Sequence, residues 1–277
     1  MRLFFITNSP EIAAYVVAHG VDRVFVDLEI HGKVERQGHL STVISRHSFE
    51  DVAAVRSAVP EAELMVRLNP LYAGSKDEVD RAIDLGADVL MLPMFHTAAE
   101  VQAFCDLVDG RVRVCLLLET LGGMRSLDEI VTIRGVDEIH IGLNDLHLEM
   151  GCAFMFEPLA DGVVDTMART IRAAGLPFGI GGVARAGEGQ LPAEIILAEH
   201  VRMGSTAAIL SRTFHRNLAD RQAIETEMDF PGEIAKLRAH YEQYLTLPAS
   251  ALDQVHGELQ ERVRSIVASK KGGNASS

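Results

Sequence analysis

Short apolar runs alternate with amphipathic helical patterns along most of the chain, and one strand plus one helix recurs about every 25 residues. Near-continuous apolar strands separated by helices indicate a parallel sheet that is buried on both faces. Eight such runs in a chain of this length predict an α/β fold, a (β/α)8 TIM barrel. The predicted strands are LFFIT (3–7), DRVFVDLE (22–29), ELMVRLN (63–69), DVLMLPM (88–94), VRVCLLLE (112–119), EIHIGL (138–143), FGIGG (178–182) and VRMGST (201–206).

The pattern of strands stops near Asn217, so residues 1–217 are predicted to form the barrel. Residues 218–270 contain two helical patterns, and we expect this C-terminal helical extension to pack on the barrel or on a neighbouring subunit. Residues 271–277 have no apolar surface to bury and are predicted to be disordered. The 277 residues are 48% hydrophobic, which suffices for one large core.

The chain has 39 acidic and 26 basic residues, which gives a net charge of −13. Such a surface repels nucleic acid and anionic membranes, so a small-molecule substrate is the predicted partner. The N-terminal residues lack the pattern of a signal peptide, and no apolar stretch is long enough to cross a bilayer, so we expect a cytoplasmic protein. The three cysteines have no CxxC spacing and are predicted to be buried structural thiols.

Charged and polar side chains collect at the carboxyl ends of the predicted strands, where TIM barrels place their active sites. These acids outnumber the single arginine, and a buried carboxylate must be compensated. Either an ion-pair network around the arginine or a bound cation could do so, and the excess of acid favours a cation. The strand-end residues are Asp27, Glu29, Arg67, Asn69, Pro93, Glu119, Asn144, Asp145, Gly181, Gly182, Gly204 and Ser205.

Glu119 and Asp145 end two neighbouring strands and offer only oxygen ligands. Oxygen ligands select hard cations, so Mg²⁺ or Mn²⁺ is predicted in preference to Zn²⁺. Two carboxylates leave coordination positions for water or for a 2-oxo acid. A metal placed there would act as a Lewis acid for an enolate.

The segments DLE, VRLNP, GADVLMLPM, LLLET and GLNDL, in this order and spacing, resemble the HpcH/HpaI aldolase and citrate lyase family over roughly residues 2–215. The resemblance implies a metal-dependent 2-oxo-acid aldolase or a related CoA-ester lyase. It also implies that Glu119 and Asp145 hold the divalent ion, and that Arg67 binds the substrate oxo group and stabilises the enolate. The family further implies a homo-oligomer, a dimer or a hexamer, in which C-terminal helices pack against a neighbouring barrel.

The catalytic base is less clearly marked by the sequence. Pyruvate aldolases of the family usually read Asp-Gly-Glu-His after strand 2, whereas this chain reads Asp-Leu-Glu-Ile-His from Asp27 to His31, so the histidine comes one residue later. The following loop is long enough to fold over the rim and is rich in groups that move protons or hold anions. Arg36 and His39 flank Gly38, and they join His31 as the predicted catalytic residues of this loop.

Asp27, Glu29 and Asn69 are predicted to bind substrate at the rim. Gly181, Gly182 and Ser205 are predicted to do so because glycines after strands 7 and 8 often bind phosphate, although tight turns explain glycine equally well.

The leading hypothesis for function is a divalent-metal-dependent carbon–carbon lyase or aldolase that acts through a pyruvate-like enolate. A phosphoenolpyruvate-using transferase or a CoA-ester lyase on the same metal site is an alternative, and the substrate is then a phosphorylated carboxylate or a CoA ester. A non-catalytic metabolite-binding barrel, whose rim acids form an ion-pair network, is a second alternative.

Overall fold

The computed structural model describes residues 1–32, 47–215 and 220–273, and eight parallel strands form a closed barrel in it. Each strand pairs with the next one in the sequence, and the last strand returns to the first, where Leu3 lies opposite Ala208. The predicted (β/α)8 TIM barrel is therefore confirmed. The strands are β1 Arg2–Ile6, β2 Arg23–Asp27, β3 Glu63–Arg67, β4 Val89–Leu92, β5 Arg113–Leu118, β6 Glu138–Ile141, β7 Phe178–Val183 and β8 Ala207–Leu210.

Helices follow the strands, and polar residues cap several of them. Ser9 accepts a hydrogen bond from the Ile12 N–H group, and Thr97 forms a reciprocal capping box with Glu100. In the described ranges the helices are α1 Pro10–Ala18, α2 Phe49–Ala58, α3 Ser75–Asp84, α4 Ala98–Val108, α5 Leu121–Arg125, α6 Leu127–Ile130, α7 Leu143–Glu149, α8 Glu157–Ala160, α9 Val163–Ala173, α10 Ala193–Met203, α11 Arg212–His215, α12 Arg221–Glu227, α13 Phe230–Leu245 and α14 Ala249–Gly273.

The eighth strand lies later in the chain than predicted. Residues 201–203 form the end of α10, and Gly204 ends that helix with a φ of 77°, in the left-handed conformation that glycine adopts readily. The prediction that residues 201–206 form a strand is wrong, because α10 is buried along most of its length and a buried helix end is as apolar as a strand. Ser205 consequently precedes β8 and lies at the amino end of the barrel strands.

The C-terminal helices pack on this chain's own barrel. Helix α13 buries Phe230 against Tyr15 of α1 and Phe214 of α11, and it also contacts α10, so it lies where the helix after an eighth strand belongs. The barrel layer thus extends past the boundary predicted at residue 217. Helix α14 crosses α10 and continues through Gly273, while residues 274–277 of the predicted tail lie outside the described residues. Among the described helices none is both long and apolar enough to cross a membrane.

An ion-pair network fills the amino end of the barrel. The guanidinium group of Arg23 is fully buried between Glu63 and Glu138, and Arg2 reaches Glu138 at 2.6 Å. The ring of Phe4 lies 4.4 Å from the Arg23 guanidinium carbon and forms the next layer inward. Charged and aromatic side chains thus occupy the amino end, whereas TIM barrels place their active sites at the opposite, carboxyl end of the strands.

Two buried histidines predict acid sensitivity. Burial lowers the pKa of His140 from 6.5 to about 4, and that of His200, whose Nδ1 lies 2.8 Å from Ser205 Oγ, to about 3. Below pH 6.5 the unfolded chain therefore binds protons that the folded chain does not. Stability is then lost as the pH falls from 6.5 towards 4, by up to about 3 kcal/mol per histidine. In urea unfolding at several pH values, His200→Asn should flatten this slope, and an unchanged slope would contradict the assignment.

Candidate functional site

Arg67 and Asp27 form the centre of the charged rim. They are opposite each other at the carboxyl ends of β3 and β2, and the Arg67 guanidinium donates two hydrogen bonds of 2.8 Å to the two Asp27 carboxylate oxygens. The Arg67 Nη2 atom, which donates one of these two hydrogen bonds, also lies 3.4 Å from Glu29 Oε2. Burial alone would lower the pKa of Arg67, but Asp27 and Glu29 outweigh it and raise the pKa. Arg67 is therefore a permanently charged and firmly oriented donor.

Glu119 follows β5 and is buried at the same rim. Burial raises the pKa of Glu119 well above its usual range, and the neighbouring charges of Asp145 and Glu29 raise it further. Arg67 and the Met94 N–H group, which donates to Glu119 Oε1 at 3.3 Å, act in the opposite direction. Two mutually repelling carboxylates in a buried place form an electrostatic environment that a cation would relieve.

Gly142 provides the space that the Glu119 side chain occupies. A Cβ atom at position 142 would lie 2.9 Å from both Cβ and Oε2 of Glu119, so any larger residue would displace the carboxylate. Asp145 lies one turn further on, in the first turn of α7, and is buried. Strand β6 and the start of α7 thus bring the second carboxylate to the first.

The donor set fits a hard divalent cation. In the part of the chain that the structure describes, no group of three or more His, Cys, Asp and Glu side chains is arranged to hold an ion. Glu119 and Asp145 are the neighbouring buried carboxylates that could hold an ion, with water or substrate completing the coordination. Mg²⁺ and Mn²⁺ accept such a sphere, whereas structural Zn²⁺ sites need four protein ligands, commonly with sulfur or nitrogen.

Asn69 is engaged in holding the loop after β2. Its Oδ1 atom accepts hydrogen bonds from the N–H groups of Ile30 and His31 at 2.9 and 3.0 Å, and its Nδ2 atom donates to Glu78 at 2.6 Å. The Asn69 side chain, which was predicted to bind substrate, thus fixes the backbone of residues 30 and 31 at the rim. Its amide contacts main chain and Glu78 in these three hydrogen bonds.

The predicted catalytic residues of the loop are only partly described. His31 is exposed and packs edge-on against the ring of Tyr72, with ring centroids 4.7 Å apart. Arg36 and His39 lie outside the described residues.

His47, at the far end of the loop, accepts a hydrogen bond of 3.0 Å from the Asp27 N–H group through Nδ1, so the proton of its neutral ring is on Nε2. His47 therefore lies beside the rim, although it was not among the predicted site residues.

The glycines of β7 lie at the rim and Ser205 does not. Gly181 has a φ of 45°, and its carbonyl oxygen lies 3.0 Å from His140 Nε2, while Gly182 approaches Ser211. The Ser205 hydroxyl instead lies between His200 and the carbonyl oxygen of Phe178, at the amino end of the strands. The structure thus separates Ser205 from the other predicted substrate-binding residues, because Ser205 precedes β8 instead of following it.

Arg212 is a rim residue that sequence reasoning missed. It begins α11 directly after β8, and its charge interacts with those of Asp27 and Arg67. Burial lowers the pKa of Arg212, and Arg67 lowers it further against the opposing influence of Asp27. A correct placement of β8 would have revealed this arginine as a strand-end residue.

The charges of the described rim residues are compatible with a bound cation. With all groups ionised, four carboxylates exceed two guanidinium groups by two charges, and the raised pKa of Glu119 shows that the ionised form is unfavourable without a cation. One divalent ion would neutralise the two excess charges, whereas the two arginines alone do not. The residues counted are Asp27, Glu29, Glu119, Asp145, Arg67 and Arg212.

Comparison with known sequences shows that this chain is similar to aldolases. Residues 1–181 match the family profile described as HpcH/HpaI aldolase/citrate lyase. A 2-keto-3-deoxy-L-rhamnonate aldolase from Shigella sonnei (strain Ss046) is 28% identical over 40% of this chain and 53% of its own length. A hydroxypyruvate/pyruvate aldolase from Roseovarius nubinhibens is 30% identical over 37% of this chain and 52% of its own length. The chain spans about half the length of the curated relatives it matches.

Solved structures share the barrel. An HpcH/HpaI aldolase from Desulfitobacterium hafniense DCB-2 aligns with a TM-score of 0.61 and 16% identity, covering 84% of this chain and 94% of that one. An HpcH/HpaI aldolase/citrate lyase family protein from Burkholderia cenocepacia J2315 aligns with a TM-score of 0.63 and 18% identity, covering 82% and 94%. At these identities the likeness shows a common fold. The reaction must be inferred from the residues of the site.

Proposed function

Because the chain belongs to the HpcH/HpaI aldolase/citrate lyase family, we propose that it is a divalent-metal-dependent carbon–carbon lyase or aldolase acting through a pyruvate-like enolate. The observation that carries this proposal is the buried pair Glu119 and Asp145 beside the oriented guanidinium of Arg67. A site that must stabilise an enolate needs positive charge close to the oxo group. The rim combines a fixed arginine with a pair of carboxylates suited to a cation.

Each rim residue has a distinct proposed role. Glu119 and Asp145 hold Mg²⁺ or Mn²⁺, which when bound acts as a Lewis acid on the substrate oxo group. Asp27 and Glu29 orient Arg67, whose guanidinium donates hydrogen bonds to the oxygen on which negative charge develops.

The loop after β2 is proposed to supply proton transfer. During cleavage, a basic side chain there takes the proton from the substrate hydroxyl that becomes the carbonyl group of the released aldehyde. During synthesis it returns this proton to the same oxygen. His31 and His39 stay the proposed bases, and Arg36 is proposed to contact an anionic part of the substrate.

The proposal is tested by removing metal from the purified protein and restoring it in the presence of pyruvate in D₂O. We expect Mn²⁺ to bind at one site per chain and to switch on exchange of the pyruvate methyl hydrogens, which nuclear magnetic resonance follows directly. Metal-independent exchange, or failure to bind Mn²⁺ and Mg²⁺, would overturn the proposal.

Arg212 favours a substrate that carries a further anionic group, since a second cation lies beside the rim. This observation supports the second candidate function, a phosphoenolpyruvate-using transfer, as well as cleavage of a phosphorylated or dicarboxylic substrate. A panel of acceptors with and without a second anionic group separates the candidates. Preference for uncharged acceptors would count against Arg212 as an anion contact.

Arg212→Ala should raise KM for an anionic substrate by about 10- to 100-fold, because a charge-assisted hydrogen bond contributes about 1.5–3 kcal/mol. Exchange of the pyruvate methyl hydrogens should change little. Steady-state kinetics with Arg212→Lys serves as the control, since the lysine keeps the charge and should recover part of the loss. An equal KM for all three proteins would exclude the contact.

A further inference from the structure

Thr120 lies directly after Glu119 and is completely buried. Its hydroxyl donates a hydrogen bond of 2.5 Å to the Phe95 carbonyl oxygen and accepts one of 2.9 Å from the Gly123 N–H group. The first turn of α5 is thereby tied to the segment that follows β4. This connection joins two loops at the mouth of the barrel.

Gly122 and Gly123 allow the two segments to approach closely. A Cβ atom at position 122 would lie 2.7 Å from the His96 carbonyl oxygen, and one at position 123 would lie 2.8 Å from the Phe95 ring. Real Cβ atoms essentially never show distances under 3.0 Å, and the His96 contact is with a backbone atom rather than with a flexible side chain. The sequence Thr-Leu-Gly-Gly after Glu119 therefore holds residues 94–96 tightly against α5.

Met94 has a strained backbone at this contact. Its φ is 52°, and within the described ranges the only other non-glycine residue with a positive φ is Asp109, which ends helix α4. Aspartate tolerates this conformation readily, whereas a buried methionine adopts it at an energetic cost. Such a conformation persists only where the surrounding structure enforces it, and it is often found at functional sites. In this conformation Met94 donates its N–H group to Glu119 Oε1 at 3.3 Å.

We propose that Thr120, Gly122 and Gly123 form a clamp on residues 94–96, and that this clamp uses the Met94 N–H group to orient the Glu119 carboxylate for the divalent ion. The inference rests on the proposed function, because it assigns metal binding to Glu119. Thr120 and Met94 are then positioning residues that act through Glu119. Gly142 completes the arrangement, since it leaves room for Oε2 on the other side of the carboxylate.

The clamp predicts that metal affinity depends on residues that do not touch the ion. Thr120→Val removes the hydroxyl at constant size, and we expect it to weaken Mn²⁺ binding by about 10- to 100-fold, the range found for outer partners of metal ligands. Thr120→Ser keeps the hydroxyl and should bind Mn²⁺ like the wild type. Electron paramagnetic resonance of free Mn²⁺ measures the affinity independently of activity.

A second pair of variants tests Met94 without removing a hydrogen bond. Met94→Ile has nearly the same volume but is β-branched, which disfavours positive φ, whereas Met94→Leu lacks the branch at Cβ. We expect the isoleucine variant to bind Mn²⁺ more weakly than the leucine variant, by about tenfold or more. Thermal unfolding of the metal-free proteins shows whether each variant is folded, and this pair decides the question if Thr120→Val does not fold.

The outcomes separate the clamp from the proposed function. A wild-type protein that binds neither Mn²⁺ nor Mg²⁺ overturns the proposed function. A wild-type protein that binds Mn²⁺, together with folded Thr120→Val and Met94→Ile variants of equal affinity, overturns the clamp alone. Weakened binding in Thr120→Val and Met94→Ile, with affinity retained in Thr120→Ser and Met94→Leu, supports it.

Discussion

Glu119→Gln should abolish metal-dependent exchange of the pyruvate methyl hydrogens, with a loss of about 10³-fold or more, while the metal-free protein stays folded. Glutamine preserves the shape of the side chain but removes the charge that the cation needs. In the metal-free protein this charge is unfavourable, because burial and the neighbouring Asp145 raise the pKa of Glu119. The variant should therefore be at least as stable as the metal-free wild type near pH 7.

Thermal unfolding with and without Mn²⁺ distinguishes this explanation from simple misfolding. Mn²⁺ should raise the melting temperature of the wild type, since a ligand that binds only the folded state stabilises it, and should have no effect on Glu119→Gln. Glu129→Gln makes the same chemical change at an exposed position of α6 and should behave like the wild type. Retained exchange activity in Glu119→Gln would refute the metal assignment.

Arg67→Met should reduce both stability and activity. Asp27 and Glu29 share the Arg67 guanidinium in a buried environment, and removal of one partner of a buried ion pair costs about 3–5 kcal/mol. Loss of a donor to the developing enolate oxygen should lower kcat by a further factor of about 10²–10³. Urea unfolding and the exchange rate measure the two effects separately.

Two further variants separate the structural from the catalytic role of Arg67. Arg67→Lys keeps the charge but cannot form the two parallel hydrogen bonds to Asp27, so stability should recover more fully than activity. Arg67→Met combined with Asp27→Asn removes one of the two buried acids and should regain stability without regaining activity. Parallel recovery of stability and activity in the double variant would show that Arg67 acts only through folding.

The apolar residues of the C-terminal helices do not require a neighbouring subunit to cover them. Apolar residues of α13 and α14, among them Leu237 and Leu259, are buried against the chain's own barrel. Their sequence pattern showed that a partner surface was needed, but could not distinguish an intrachain surface from a neighbouring subunit. A dimer or a hexamer stays a prediction, which sedimentation or light scattering would test.

The strand ends of β2, β3 and β5 were predictable because they depend only on local periodicity. Parallel strands in a closed barrel must end at one rim, so Asp27, Arg67 and Glu119 follow from where each apolar run stops. The eighth strand was misplaced because the apolar end of α10 resembles a strand. That error brought Ser205 into the predicted site and left Arg212 out of it.

By itself, the sequence determined the barrel and the acidic rim, since each follows from the pattern within single strands, and it predicted Glu119 and Asp145 as the carboxylates proposed to hold a metal. Only the tertiary structure decided that Arg67 is held by Asp27, that Asn69 supports a loop, and that a strained Met94 donates to Glu119. These contacts join residues that lie 25 to 40 positions apart. Their geometry depends on how whole strands and loops pack, which no local pattern records.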